Sequence, residues 1–293
     1  MAGRMGNIGR IKTMPTLNQS APAAAPSKAD KADGHYYSYT TERGWFPLYE
    51  GESNFTLKQA RELASTGQVA VPSATGYIGC MRKYQVEEYD KKNAARVARD
   101  TPMDDRFADE DAWLDQVLSV ASTASHAARD KGSSIHKATE KFLAGEEYDA
   151  NWQPYVTAII TEMDKLGIRD ALSETCVGSL KYGVGGKVDL SHDASLTIGD
   201  IKTRGHRVNK VKPSKVPSYE TDEMQIACYG FCRYGNEFFR RGRGVILGVS
   251  TLIPGLVTPH EFSGKDLVPA FEAFLALTAV WRFTNGHDPR VLS

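Results

Sequence analysis

The sequence predicts an α/β fold in which a central mixed β-sheet is flanked by helices. Three observations lead there. Apolar residues recur at helical spacing as far as Gly167. The period then drops to two over "SETCVGSLKYG", "GGKVDLSHD" and "LTIGDIKTR", and helix, strand and helix patterns follow in turn. Length and composition agree: 293 residues, 41% hydrophobic and 25% charged, suffice for one sizeable core. Lys plus Arg equals Asp plus Glu at 36 each, so overall charge points to no partner and any charged surface must be local.

Residues 1–34 are rich in Ala, Pro, Ser and Gly and are expected to form a disordered tail, with 35–293 as the folded part. "HYYSYTTERGWFPLYEG" reads as a hairpin or an extended cover strand, and "TLKQARELAST" as a helix capped by Thr56. "VPSATGYIG" at 71–79 reads as a strand and turn leading into the main domain. Residues 84–146 are helical, broken near Pro102 and stopped at Gly145, and "NWQPYVTAIITEMDKLG" is a further helix ended by Gly167. Gly or His-Asp turns between the three period-two segments predict an antiparallel meander. "SYETDEMQIACYGFCRYGNEFF" reads as one helix, "GVILGVSTLIPG" as one strand, and 264–285 as the last helix. The apolar run "LVPAFEAFLALTAVW" is interrupted by Pro269 and Glu272 and reads as a core helix, too short to cross a bilayer. Cys80, Cys176, Cys228 and Cys232 form no CxxC pair and no apolar leader opens the chain, so a reducing cytoplasm and no membrane are expected.

Charges inside the period-two segments carry the functional signal. Asp200 and Lys202, at i and i+2, share one side of a strand whose neighbours Leu196, Ile198 and Ile201 are apolar. An uncompensated charge there would cost several kcal/mol. A simple ion pair of Lys202 with Asp200 or Asp189 is one answer. The other starts from Asp189, which a short turn brings across from Asp200; two facing carboxylates call for a cation, and hard oxygen ligands suit Mg²⁺ or Mn²⁺. Helical spacing also places His136 with Glu140 and Gln225 with Tyr229 on shared faces.

The ordered series Gly132-x-x-x-His136-x-x-x-Glu140, Gly186-x-x-Asp189, Asp200-x-Lys202 and Gln225-x-x-x-Tyr229 resembles the PD-(D/E)XK nuclease superfamily, within it the RecB/AddB/Cas4-like branch. "VPSAT" at 71–75 resembles the "PSVT" segment of phage-encoded members, and the likeness spans roughly residues 70–235. It implies a restriction-endonuclease-like core, with 35–115 as accessory cover and 116–293 as catalytic core. It implies Asp189, Asp200, His136 and the Ile201 carbonyl as metal ligands, and Lys202 against the attacking water or the scissile phosphate. Gln225 and Tyr229 would position DNA or the lysine. Glu140 would hydrogen-bond to a ligand from behind or pair with Lys137 or Lys141 on the helix surface.

The implied activity is Mg²⁺- or Mn²⁺-dependent hydrolysis of DNA, by an exonuclease of recombination, repair or end processing. An endonuclease on the same core and a non-catalytic DNA-binding protein are the alternatives. The stretch "KTRGHRVNKVKPSK" offers Arg204, Arg207, Lys210, Lys212 and Lys215 to the phosphate backbone, or is merely a solvated basic loop. Some relatives hold an iron-sulfur cluster on one early and three late cysteines; no cysteine follows Cys232, so no cluster is expected, and Cys228 and Cys232 read as buried helix residues. The chain has no GxxxxGK[ST] phosphate loop, which implies a stand-alone enzyme or one working with a helicase, recombinase or single-strand-binding protein.

Overall fold

The structure, a computed structural model, describes residues 36–50, 53–81, 84–104, 106–205 and 215–291; the tail expected over 1–34 lies outside them. Strands β1 (Tyr36–Thr40) and β2 (Gly44–Pro47) form the expected hairpin, followed by the two-residue strands β3 (Tyr49–Glu50) and β4 (Ser53–Asn54). Helix α1 (Leu57–Ser65) opens on a capping box in which Thr56 Oγ1 accepts from the Gln59 N–H and Gln59 Oε1 accepts from the Thr56 N–H. β5 (Val71–Pro72) pairs with β1, and Ser73 caps the short helix α2 (Ala74–Ile78), so the expected strand and turn lead into a helix. α3 (Tyr84–Asp100) and α4 (Glu110–Leu143) form a helical hairpin with Pro102 in the break. Asp109 caps α4, which runs unbroken through residues 115 and 116. α5 (Gln153–Lys165) follows.

β6 (Leu172–Ser179), β7 (Val184–His192) and β8 (Thr197–Arg204) form the expected antiparallel meander. The single helix expected next is two, α6 (Glu220–Tyr234) and α7 (Asn236–Arg241), because Gly235 takes φ +61 and its left-handed backbone stops the run. The helices cross over to β9 (Arg243–Ser250), which lies parallel to β8. One strand was expected here, yet a fifth, β10 (Val257–Ser263), pairs antiparallel with β9 and closes the order β10-β9-β8-β7-β6. Pro259 obscured β10 in the sequence; it is tolerated because β10 is an edge strand.

The sheet separates two cores. On one face Val184, Val188, Ile198 and Ile246 pack with Ile226, Cys228 and Tyr229 of α6, with Tyr77 of α2, and with α8 (Val268–Asn285). On the other, Leu190, Ile201, Val245, Leu247 and Val249 pack with Ile135 of α4 and Ile159 of α5. The last helix corrects the expectation about its length. With the turn before it, the apolar run covers Gly264–Asn285, long and apolar enough to cross a membrane. It nonetheless packs as a core helix: Phe271, Phe274 and Trp281 are buried, and Tyr77 meets Phe274 and Trp281 edge-on.

Candidate active site

The site lies where β7 and β8 part. Their ladder runs from His192↔Thr197 to Leu190↔Gly199 and stops. Carried one step further, the register would set Asp189 opposite Asp200. There the Asp189 carboxylate replaces the missing backbone partner: Oδ2 accepts the Ile201 N–H at 2.8 Å. β8 meanwhile stays paired with β9 through Asp200↔Ile246 and Lys202↔Gly248. β7 also changes phase at this point. Val184 and Val188 face α6, whereas Leu190 faces the core beneath α4.

Helix α4 approaches closely because Gly132 has no side chain; a Cβ there would lie 2.4 Å from Thr203 Oγ1 on β8. One turn on, His136 Nδ1 stands 3.5 Å from Asp189 Oδ2. One turn further, Glu140 joins His136, Asp189, Ile201 and Glu174 around a cavity of about 10 Å³, room for one water-sized sphere. Sequence reasoning missed Glu174. It lies on β6 in register with Asp189, although the pair makes no ladder contact, and its backbone is left-handed at φ 57. Its carboxylate forms an ion pair with Lys187, whose side chain is 5% exposed. Burial and the facing Asp189 charge push the Glu174 carboxyl up, and the Lys187 ammonium pulls it back toward the charged form.

On the α6 side, Asp200, Lys202 and Gln225 form a closed set. Lys202 Nζ stands 2.7 Å from Asp200 Oδ2 and donates to Gln225 Oε1 at 2.9 Å, while Gln225 Nε2 donates to Asp200 Oδ1 at 3.2 Å. Lys202 is thus the charged partner of Asp200 Oδ2, and Gln225 is the donor to Oδ1. Burial raises the Asp200 carboxyl to about 6 and the nearby Asp189 charge adds to the rise, with Lys202 opposing both. Burial works to lower the Lys202 ammonium, but Asp200 and Asp189 outweigh it and hold it above its ordinary value. Tyr229, one turn beyond Gln225, packs closely on β7 because position 186 is glycine: a Cβ there would sit 2.3 Å from the Tyr229 ring. Burial raises its phenol well above the ordinary range.

Of the basic residues, Arg207, Lys210 and Lys212 lie outside the described residues, and Lys215 is exposed. Arg204 is engaged elsewhere. It donates to both oxygens of the buried Asp222 at 2.7 Å and to the Pro217 carbonyl at 2.8 Å, and its guanidinium lies 4.3 Å over the Tyr219 ring. It therefore ties the end of β8 to the start of α6, and Asp222 is a second residue that sequence reasoning overlooked.

Among the described residues no three His, Cys, Asp or Glu side chains form a ready-made metal-ligand group. The donors present do suit a hard divalent cation in kind: the carboxylates of Asp189 and Asp200 and the His136 imidazole, gathered where β7 and β8 part. Cys80 is exposed, Cys176 and Cys232 are partly buried and Cys228 is buried, all as free thiols.

No family model and no curated protein matches the chain. Among solved structures, a candidate exonuclease from Eubacterium rectale aligns over 52% of this chain and 66% of its own, at 13% identity and a TM-score of 0.38. SSO0001 aligns over 42% of this chain and 57% of its own, at 17% identity and a TM-score of 0.23. The matched part is thus under two thirds of either neighbour's chain.

Proposed function

We propose that the protein is a metal-dependent deoxyribonuclease, an exonuclease acting on DNA ends in recombination, repair or end processing, with Mg²⁺ or Mn²⁺ as its cofactor. The observation that carries this reading is the buried Asp200–Lys202–Gln225 set at the parting of β7 and β8, beside the His136–Asp189 pair. The order of these residues along the chain, which resembles the PD-(D/E)XK nucleases, supports it.

Asp189, Asp200 and His136 would hold the cation, which when bound supplies a more acidic water and neutralises charge building on the phosphate. Every other role falls to the chain. Lys202, kept charged by two carboxylates, orients the attacking water or contacts a phosphate oxygen. Gln225 uses both ends of its amide to keep Lys202 and Asp200 in place. Tyr229 backs the strand that carries Asp189. Lys215, with Arg207, Lys210 and Lys212, would meet the DNA backbone.

The testing experiment incubates the chain with linear and covalently closed circular DNA, in Mg²⁺, in Mn²⁺ and in EDTA. Degradation of linear DNA alone, abolished by EDTA, is the expected result. Cutting of circles would replace the exonuclease with an endonuclease, and binding without cutting under every condition would overturn the enzymatic reading.

A further inference from the structure

Glu174 and Lys187 have no place in the roles assigned above, yet they occupy the point where both strands break their pattern. Asp189 and Leu190 mark the change of phase along β7, and Glu174, in register with Asp189 on β6, has a left-handed backbone that residues with a Cβ rarely adopt. Pairing resumes on both sides, at Ser173↔Leu190 and Thr175↔Val188, so the break is confined to one residue pair. Lys187 precedes Asp189 by two residues on the same strand, and its ammonium, almost wholly enclosed, meets the Glu174 carboxylate. A buried cation with a matched anion is costly to separate, so the pair fixes the distance between the two strands across the break.

We propose that Glu174 and Lys187 are positioning residues for Asp189: their buried ion pair holds the local break that turns the Asp189 carboxylate toward His136 and the Ile201 N–H. The inference rests on the reading of Asp189 as a cation ligand. It assigns the pair no contact with DNA and no part in bond making.

The test compares the wild type, the double variant Glu174→Gln/Lys187→Met, Lys187→Arg and the control Asp189→Asn. Thermal melting and Mn²⁺ binding by calorimetry are measured without DNA, and kcat and KM are measured with it. Neutralising both partners leaves no orphaned charge, so the double variant is expected to melt near the wild type. Its Mn²⁺ affinity should fall by roughly tenfold or more, with a drop in kcat and an unchanged KM, whereas Lys187→Arg should stay within about threefold on all counts. A folded double variant that binds Mn²⁺ like the wild type overturns the proposal. Should that variant not fold, Glu174→Gly, which suits the left-handed backbone, takes its place, and wild-type Mn²⁺ affinity there has the same meaning. A wild-type chain that neither binds Mn²⁺ nor cleaves DNA overturns the nuclease reading, and this inference with it. Mn²⁺ binding lost in Asp189→Asn but kept in the double variant overturns this inference alone.

Discussion

The two ends of the β7–β8 pair carry similar charge and treat it in opposite ways. At the hairpin end every group is answered from within the chain. His192 Nε2 lies 3.2 Å from Asp170, its Nδ1 is 2.6 Å from Ser195 Oγ, that hydroxyl is 2.6 Å from Thr197 Oγ1, and Arg243 donates to Thr197 at 3.0 Å. Asp193 takes Arg233 and the Tyr234 hydroxyl; partial burial works against its charge, yet these partners hold its carboxyl below the ordinary range. At the parted end Asp200 also has a cation beside it, but burial and the nearby Asp189 charge hold its carboxyl up at about 6. The contrast separates charge that closes the fold from charge arranged for something outside it.

The sharpest way to break the contrast is at the parted end. Asp200→Ala and Lys202→Ala should each lower divalent-metal-dependent DNA cleavage by roughly a thousandfold while the circular dichroism spectrum stays that of the folded chain. Cleavage retained by both variants would remove these residues from the chemistry. Next in size is the Arg204–Asp222 tie, a buried pair in which one guanidinium nitrogen reaches both carboxylate oxygens. Arg204→Met leaves the buried Asp222 without its cation, with only the Tyr219 N–H as donor among the described residues, and should cost about 3–5 kcal/mol in chemical denaturation; a loss no larger than that of a surface pair would return Arg204 to the pool of DNA-facing residues.

The third effect is on pH. A carboxyl raised in the folded state keeps a proton that the unfolded chain has already lost, so folding binds protons between the two values. With Asp200 at about 6 against an ordinary 3.8, metal-free stability should fall as pH rises across that window, by about 2–3 kcal/mol. Asp200→Asn should flatten the profile, and a flat wild-type profile would contradict the assignment. The smallest effect lies at the hairpin end. Arg233→Met removes a partly exposed partner of Asp193 and should cost under about 1 kcal/mol, with cleavage unchanged.

Most of the architecture was legible because periodicity reports burial on one face. The meander, the helical hairpin broken at Pro102 and the cap at Thr56 all rest on local rules. Besides the short helix α2, two features escaped them. β10 carries a proline that only an edge strand accepts, and Gly235 splits a helix whose apolar pattern continues across it. At the site, Asp189, Asp200 and Lys202 stood out as charges among apolar strand residues. Glu174 did not, because "SETCVGS" alternates as an ordinary strand and its meaning depends on the residue that faces it across the sheet. Arg204 was counted with a basic run, since nothing local shows that Asp222, 18 residues on, folds back to meet it.

If the parted end of β7 and β8 is built to receive a divalent cation, the metal-free chain should show it directly in titration calorimetry. Mn²⁺ should bind the wild type above pH 6, bind more weakly as pH falls through about 6 and Asp200 takes up its proton, and fail to bind Asp200→Asn. Equal binding by the wild type and Asp200→Asn, or no binding by either, would contradict the account.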